Sequence, residues 1–351
     1  MNTNNYNFIV TQNLNPVAPM YTPGRYGIIR FFGLIVLTAF FTVSYAQRSI
    51  IRNIEPFWSP DGKKIVFTSM RDGQSDIYVM NSDGTDQKNL THHPAGDSEP
   101  QWSPDGSKIL FISNRTGTGR IFTMKPDGSE IMELTHTGVL EFTPAWSPSG
   151  KKIAYASTYK KNTLLYVTDA DGSNSEQLTI ASANLSSPIW SPDETKIACS
   201  VGHGEMFGSL IIDLASHSNE FVVGEQVPVK LIGWSADGGH SFYIESSVNG
   251  YGEKVGRIYC KDVNEKTITL TKRVPQPTDV EIAPDEIRVL YVSNDDVFVA
   301  DPKMKKPVKV GMGYHSAKWL PDGKTIVMVS KMVSNIFTVK ADGSELTQLT
   351  Y

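Results

Sequence analysis

Cysteine is nearly absent: Cys199 and Cys260 are the only two in 351 residues. That excludes a disulfide-built scaffold and any zinc or iron–sulfur site made of several cysteines. There is no basic excess either, the formal net charge being -4, so nothing favours a nucleic-acid backbone as partner. Charged residues make up 20% and hydrophobic ones 40%, a composition that fits neither a disordered chain nor a protein with many membrane spans. Acidic residues are missing altogether from residues 1–46, whose only full charges are Arg25 and Arg30. An uncharged apolar run, FFGLIVLTAFFTVSYA, follows from Phe31 to Ala46 and ends in the small-x-small pattern Ser44-Tyr45-Ala46. Basic start, apolar stretch and cleavage pattern together predict a secretory signal peptide over residues 1–46, with Met20 as an alternative start. A membrane anchor is the rival reading, but the run is short for a span. Cleavage leaves a mildly acidic protein, 47–351, that is periplasmic or secreted and has no stable membrane span.

The remainder is one repeated unit. WSPDGKKIVFTS begins at Trp58, and related segments begin at Trp102, Trp146, Trp190 and Trp234, each 44 residues after the last. IAPDEIRVLYVS (from Ile282) and WLPDGKTIVMVS (from Trp319) complete the series, and all six tryptophans of the chain occupy this one position. Each unit reads as an extended run ending at the Trp, a Pro-Asp-Gly turn and a β-rich run. A polar loop, a second β-rich run, an Asp-Gly turn and a short strand ending in Leu-Thr follow. Four strands in about 44 residues is the size of a propeller blade. The expected fold is therefore all-β: a seven-bladed β-propeller of four antiparallel strands per blade, with six blades as the alternative. The Trp series and the turns are read as structural.

The segment WSPDGKKIVFTS…DIYVMNSDGTDQKNLT resembles the propeller repeat of the TolB family, a WD40-like repeat. The resemblance covers about residues 52–351. It implies a periplasmic, protein-binding propeller, here without the α/β domain that precedes the propeller in TolB itself. Similar repeats precede the hydrolase domain of prolyl-oligopeptidase-type peptidases, but no G-x-S-x-G nucleophile elbow is present. A third relative, oligogalacturonate lyase, implies a histidine-rich metal centre in the central channel.

Blade topology puts the connections from strand two to three, and from strand four to the next blade, on one face. These are the long, variable loops, where recognition residues usually sit. His92, His93, His136, His203 and His315 fall there, and converging imidazoles can hold a divalent metal. No H-x-x-x-H or H-E-x-x-H spacing supports that, and exposed loop histidines are an equally simple reading. Three residues before the Trp position stand Glu55, Glu99, Thr143, Ser187, Leu231, Asp279 and Ser316. These carboxylates and hydroxyls suit a cation or sugar hydroxyls; they equally suit solvation of the channel and capping of neighbouring N–H groups. Arg71, Arg115 and the pair Lys160-Lys161 are placed on middle loops, suited to an acidic partner or simply to solvent. Cys199 and Cys260 are expected in strands of adjacent blades, bridged or free.

Two functions remain open. One is a non-catalytic exported module that binds an envelope protein, peptide or glycan through the long-loop face. The other is a metal-dependent polysaccharide lyase or hydrolase working in the channel. No cofactor is required by the first, and a divalent metal by the second. N-terminal sequencing of the exported protein is expected to find its first residue within a few positions of Gln47. An intact N-terminus on membrane-bound protein instead identifies the segment as an anchor.

Overall fold

The computed structural model describes residues 52–351 except 137–138, 160–161, 180–183, 204–205, 223–228, 263, 265, 276, 285–287 and 302–305. The signal-peptide segment thus lies outside the described residues. All regular structure in them is β, and no helix is long and apolar enough to cross a membrane. Seven consecutive antiparallel units of four strands follow one another along the chain, as the repeat predicts. We call them blades 1 (53–89), 2 (97–133), 3 (141–177), 4 (184–222), 5 (229–275), 6 (278–312) and 7 (314–348). Blades 3 and 4 are also joined by a single parallel bridge, Thr163 to Asn184, and blade 5 carries an extra two-residue strand, Val274–Pro275, on its third strand.

The repeated residues lock each blade. Ser59 Oγ donates to Asp61 (2.7 Å) and accepts from the Lys64 N–H (2.9 Å), closing the turn between the first two strands. The same pair of bonds recurs at Ser103, Ser191 and Ser235. These bonds hold the Asp61, Asp105 and Asp193 carboxyls below their usual range, the serine hydroxyl being the first cause in each. The terminal Leu-Thr also has a local reason. Thr91, Thr135, Thr179 and Thr350 each accept a backbone N–H of strand three, at 2.8–3.2 Å. Buried backbone donors without partners are costly, and one hydroxyl per blade removes that cost.

Blades stack face to face, so their middle strands are apolar on both sides; Ile109–Ser113 is buried throughout. Trp102 packs with Val66, Ile77 and Val79 of blade 1, and Trp58 with Val327, Ile336 and Leu349 of blade 7. The second set closes the ring. Asn53 N–H also donates to Ser334 O (3.0 Å), and the Gln87 amide donates to Leu349 O (3.1 Å). No strand is exchanged between the first and last blades among the described residues. Cys199 and Cys260 are both free and buried, in separate clusters, so the bridge left open by the sequence is not formed.

The connection between the second and third strands of blade 5 is short: His240–Val248 and Lys254–Asp262 pair along their full length. The Asp-Gly turns, besides reversing the chain, seal the seams. Gly84, Gly128 and Gly172 have φ of 85–86°, and a Cβ on each would lie 2.6–2.8 Å from the carbonyl oxygen of Leu349, Leu90 and Leu134 in the preceding blade. Gly128→Ala therefore meets both left-handed backbone strain and a backbone clash, and is expected to cost about 2–4 kcal/mol. Gly117 has a similar φ, +96°, with nothing within 4 Å. Gly117→Ala is expected to cost only about 1 kcal/mol. Equal urea midpoints for the two variants would refute the seal.

Candidate functional site

The innermost strand of each blade carries a β-bulge just before its Trp position. A bulge turns one residue out of the ladder and leaves its N–H without a strand partner. In five blades the residue three before the Trp position adopts positive φ: Glu55 (55°), Glu99 (53°), Thr143 (48°), Ser187 (52°) and Asp279 (47°). Such backbone is strained for any residue but glycine, most of all for β-branched Thr143.

Side chains from the preceding blade meet the exposed donors. Glu55 Oε2 accepts the Glu99 N–H (2.9 Å) and the Thr68 hydroxyl (2.8 Å). The Glu99 carboxylate accepts the Thr143 N–H, and Thr143 Oγ1 accepts the Ser187 N–H (3.1 Å). Farther round, Asp279 Oδ2 accepts from Ala317 N–H and Glu281 Oε2 from Trp319 N–H, both at 2.6 Å. The residues read as a candidate cation or sugar site are thus a belt of cross-blade clamps. Lys318, on the same wall, is held protonated above its usual range by Glu281. Burial, with Glu55 beside it, pushes the Glu99 carboxyl up to about 7 against the pull of the Thr143 N–H.

The two arginines are likewise drawn inward rather than standing at loop tips. Arg71 lies over the rings of Tyr78 (4.5 Å) and Phe67 (5.6 Å) and donates to Ser69, Gln87 and Asn53. Arg115 lies over Phe122 (4.9 Å) and Phe111 (5.5 Å) and pairs with fully buried Asp97 at 3.2 Å. Each guanidinium caps a cross-strand aromatic pair in its own blade.

The histidines stay apart. His92, His136 and His315 are exposed, His136 contacting Glu133 at 3.4 Å, while half-buried His93 accepts the Ala95 N–H through Nδ1. Among the described residues no three of His, Cys, Asp and Glu come together as metal ligands. Lys160-Lys161 and the side chain of His203 lie outside the described residues.

Residues 42–165 match the TolB beta propeller domain family. The chain carries a TolB-like β-propeller. Its fold resembles a putative TolB from Agrobacterium tumefaciens at 18% identity and TM-score 0.52, over 78% of this chain and 87% of that one. An oligogalacturonate lyase in complex with manganese is similar at 15% identity and TM-score 0.68, over 82% of this chain and 88% of that one. The β-propeller domain of the Trilobed protease from Pyrococcus furiosus is similar at 14% identity and TM-score 0.62, over 86% and 96%. At such identities the TolB-like propeller shares a scaffold with these proteins and no more.

One feature of the long-loop face has no counterpart in the sequence motifs. Tyr251 (92% exposed), Val248 (63%), Met332 (89%) and Met312 (69%) stand out of that face, with Met70, Leu140 and Val333. The opposite face exposes only Ile131, Met132 and Leu346 of the large hydrophobic residues among those described. Tyr251 and the Met332-Val333 pair sit in polar turns, and Val248 and Met312 at strand ends, so no periodicity flags them.

The Glu99 clamp gives a pH signature. An unfolded glutamate titrates near 4.5 and native Glu99 near 7, so between them the native state holds the extra proton. Stability is then lost as pH rises from about 4.5 to 7. Glu99→Gln keeps an acceptor for Thr143 and removes the loss. Urea unfolding should show little difference from wild type at pH 4 and a gain on the order of 2 kcal/mol at pH 8. The same difference at both pH values would contradict it.

Proposed function

We propose that the protein is an exported, non-catalytic binding module of the bacterial envelope, periplasmic or secreted, that recognises an envelope protein, peptide or glycan through its long-loop face. The observation that carries this reading is the uneven placement of exposed apolar side chains. A protein surface that keeps Tyr251 and Met332 about nine-tenths exposed on one face presents anchors of the kind interfaces bury. Around them His92, His136 and His315 offer hydrogen-bonding rim groups on the same face. The carboxylates and arginines nearby are engaged within the ring.

The lyase or hydrolase reading needs a metal. The described histidines and carboxylates do not fit one, because the histidines stay apart and the wall carboxylates accept backbone N–H groups.

Immobilised mature protein, exposed to envelope extract, tests the face. Tyr251→Ser with Met332→Ser should leave the unfolding midpoint unchanged and reduce partner capture at least about tenfold, as expected for loss of two interface anchors. Lys63→Ala with Lys151→Ala, on the short-turn face, should capture as wild type does. The opposite pattern assigns binding to the wrong face. Manganese binding by wild type that disappears in the His92→Ala, His93→Ala, His136→Ala triple variant would favour the enzyme.

A further inference from the structure

Blade 6 lacks two devices that fill the corresponding space elsewhere. In blades 1, 2 and 5 an arginine lies over the cross-strand aromatic pair: Arg71, Arg115 and Arg257, the last 5.2 Å from the Tyr259 ring. In blade 6 the pair is Tyr291 and Phe298, stacked at 5.2 Å, and the loop that would carry the arginine is a two-residue turn, Asn294-Asp295. Both turn residues have positive φ, 52° and 64°, the tightest hairpin connection. The second missing device is the glycine seal. Gly84, Gly128 and Gly172 close the seams onto blades 7, 1 and 2, whereas the connection after Ala300 contains no glycine before strand four.

A cavity of about 660 Å³ opens there, in the groove between blades 5 and 6, lined by Tyr291, Phe298, Thr269, Pro275, Lys272 and Lys306 among others. Thr271, Ser293 and Asp296 of its lining are engaged in the scaffold, whereas Tyr291, Lys272 and Lys306 have no hydrogen-bond or ion-pair partner for their side chains among the described residues. Tyr291 is 1% exposed, and its phenol makes no hydrogen bond among the described residues. The tyrosine at the same position of blade 3, Tyr155, meets Ser175 Oγ at 3.0 Å. The ring is buried while its oxygen is open to the cavity, so the phenol can meet a ligand there. Lys272 and Lys306 are exposed and form no ion pair among the described residues, while Asp296 is already paired with Lys309 at 2.6 Å. The cavity therefore combines an aromatic floor, one phenol hydroxyl open to it and an excess of positive charge.

The geometry points to a binding site for an acidic sugar in this groove. The C–H face of a pyranose ring suits the electron-rich face of Phe298, its hydroxyls suit the Tyr291 phenol and Thr269, and its carboxylate suits Lys272 and Lys306. A guanidinium or ammonium ligand, which the aromatic pair alone would attract, meets the two lysines instead. The volume holds one or two sugar rings. This site is separate from the long-loop anchors and stands or falls without them.

Calorimetric titration of the mature protein with glucuronate, glucose and glucosamine tests it. Glucuronate is expected to bind at least about tenfold more tightly than the other two, the margin of a charge-assisted hydrogen bond. Lys272→Ala with Lys306→Ala, both solvent-facing, should bring glucuronate down to the level of glucose with the unfolding midpoint unchanged. Tyr291→Phe, which keeps the stack, should weaken glucuronate several-fold. Equal binding of all three sugars, no saturable binding of glucuronate, or wild-type affinity in the lysine double variant would each overturn the proposal.

Discussion

Backbone donors met across four of the seams, between blades 1 and 2, 2 and 3, 3 and 4, and 6 and 7, govern much of this ring. Bulging the innermost strand re-aims it toward the channel but frees an N–H that no strand can accept. Where the preceding blade supplies an oxygen, as Glu55 does for Glu99 and Thr143 does for Ser187, two blades become joined at their inner edge. An unpaired buried donor costs about 1–3 kcal/mol, comparable with the strain of the left-handed residue itself. Bulge, strain and clamp are therefore mutually dependent. Removing the acceptor adds the cost of an unpaired donor to the backbone strain, whereas a neutral acceptor of the same shape leaves the strain alone.

The same logic explains why polar residues near the axis do not amount to a catalytic centre. Carboxylates at the channel wall each have an oxygen engaged by a backbone N–H, and the upward shifts of Glu99 and Glu281, both to about 7, arise first from burial. A perturbed group is a site candidate only when its hydrogen-bonding capacity remains available. Here that capacity is directed into the scaffold. The outer edge differs: the arginine cap stands in blades 1, 2 and 5 and the glycine seal in blades 1 to 3, blade 6 has neither, and the space beside it opens onto the Tyr291 phenol.

Most of the architecture was legible in the residues. The Trp-Ser-Pro-Asp-Gly and Leu-Thr segments are short-range devices, each satisfied within its own blade by Ser59, Asp61 and Thr91, so a linear reading recovers them. Cross-blade roles were harder to read, although the interval of 44 residues linking Glu55 to Glu99 and Glu99 to Thr143 was visible. Nothing in that interval says that a side chain meets a backbone donor rather than a ligand. Arg71 and Arg115 were misplaced for a related reason: loop residues are normally solvated, and only the fold shows an aromatic pair within reach of each guanidinium. Tyr251 and Met332 carried no pattern at all, because an isolated apolar residue in a polar loop reads as noise until its exposure is known.

Among the described residues no strand is exchanged between blades 7 and 1, and this has a topological corollary. The seam between blades 7 and 1 uses the same parts as its neighbours: Gly84 against Leu349 repeats Gly128 against Leu90. Chain order is therefore nearly invisible to the packing, and the ring has no privileged origin. A circular permutant that joins Tyr351 to Arg52 through a short linker and opens the connection between blades 1 and 2 rebuilds every seam from identical contacts. In such a molecule the covalent break moves, while the seam at blades 5 and 6 stays where its side chains put it.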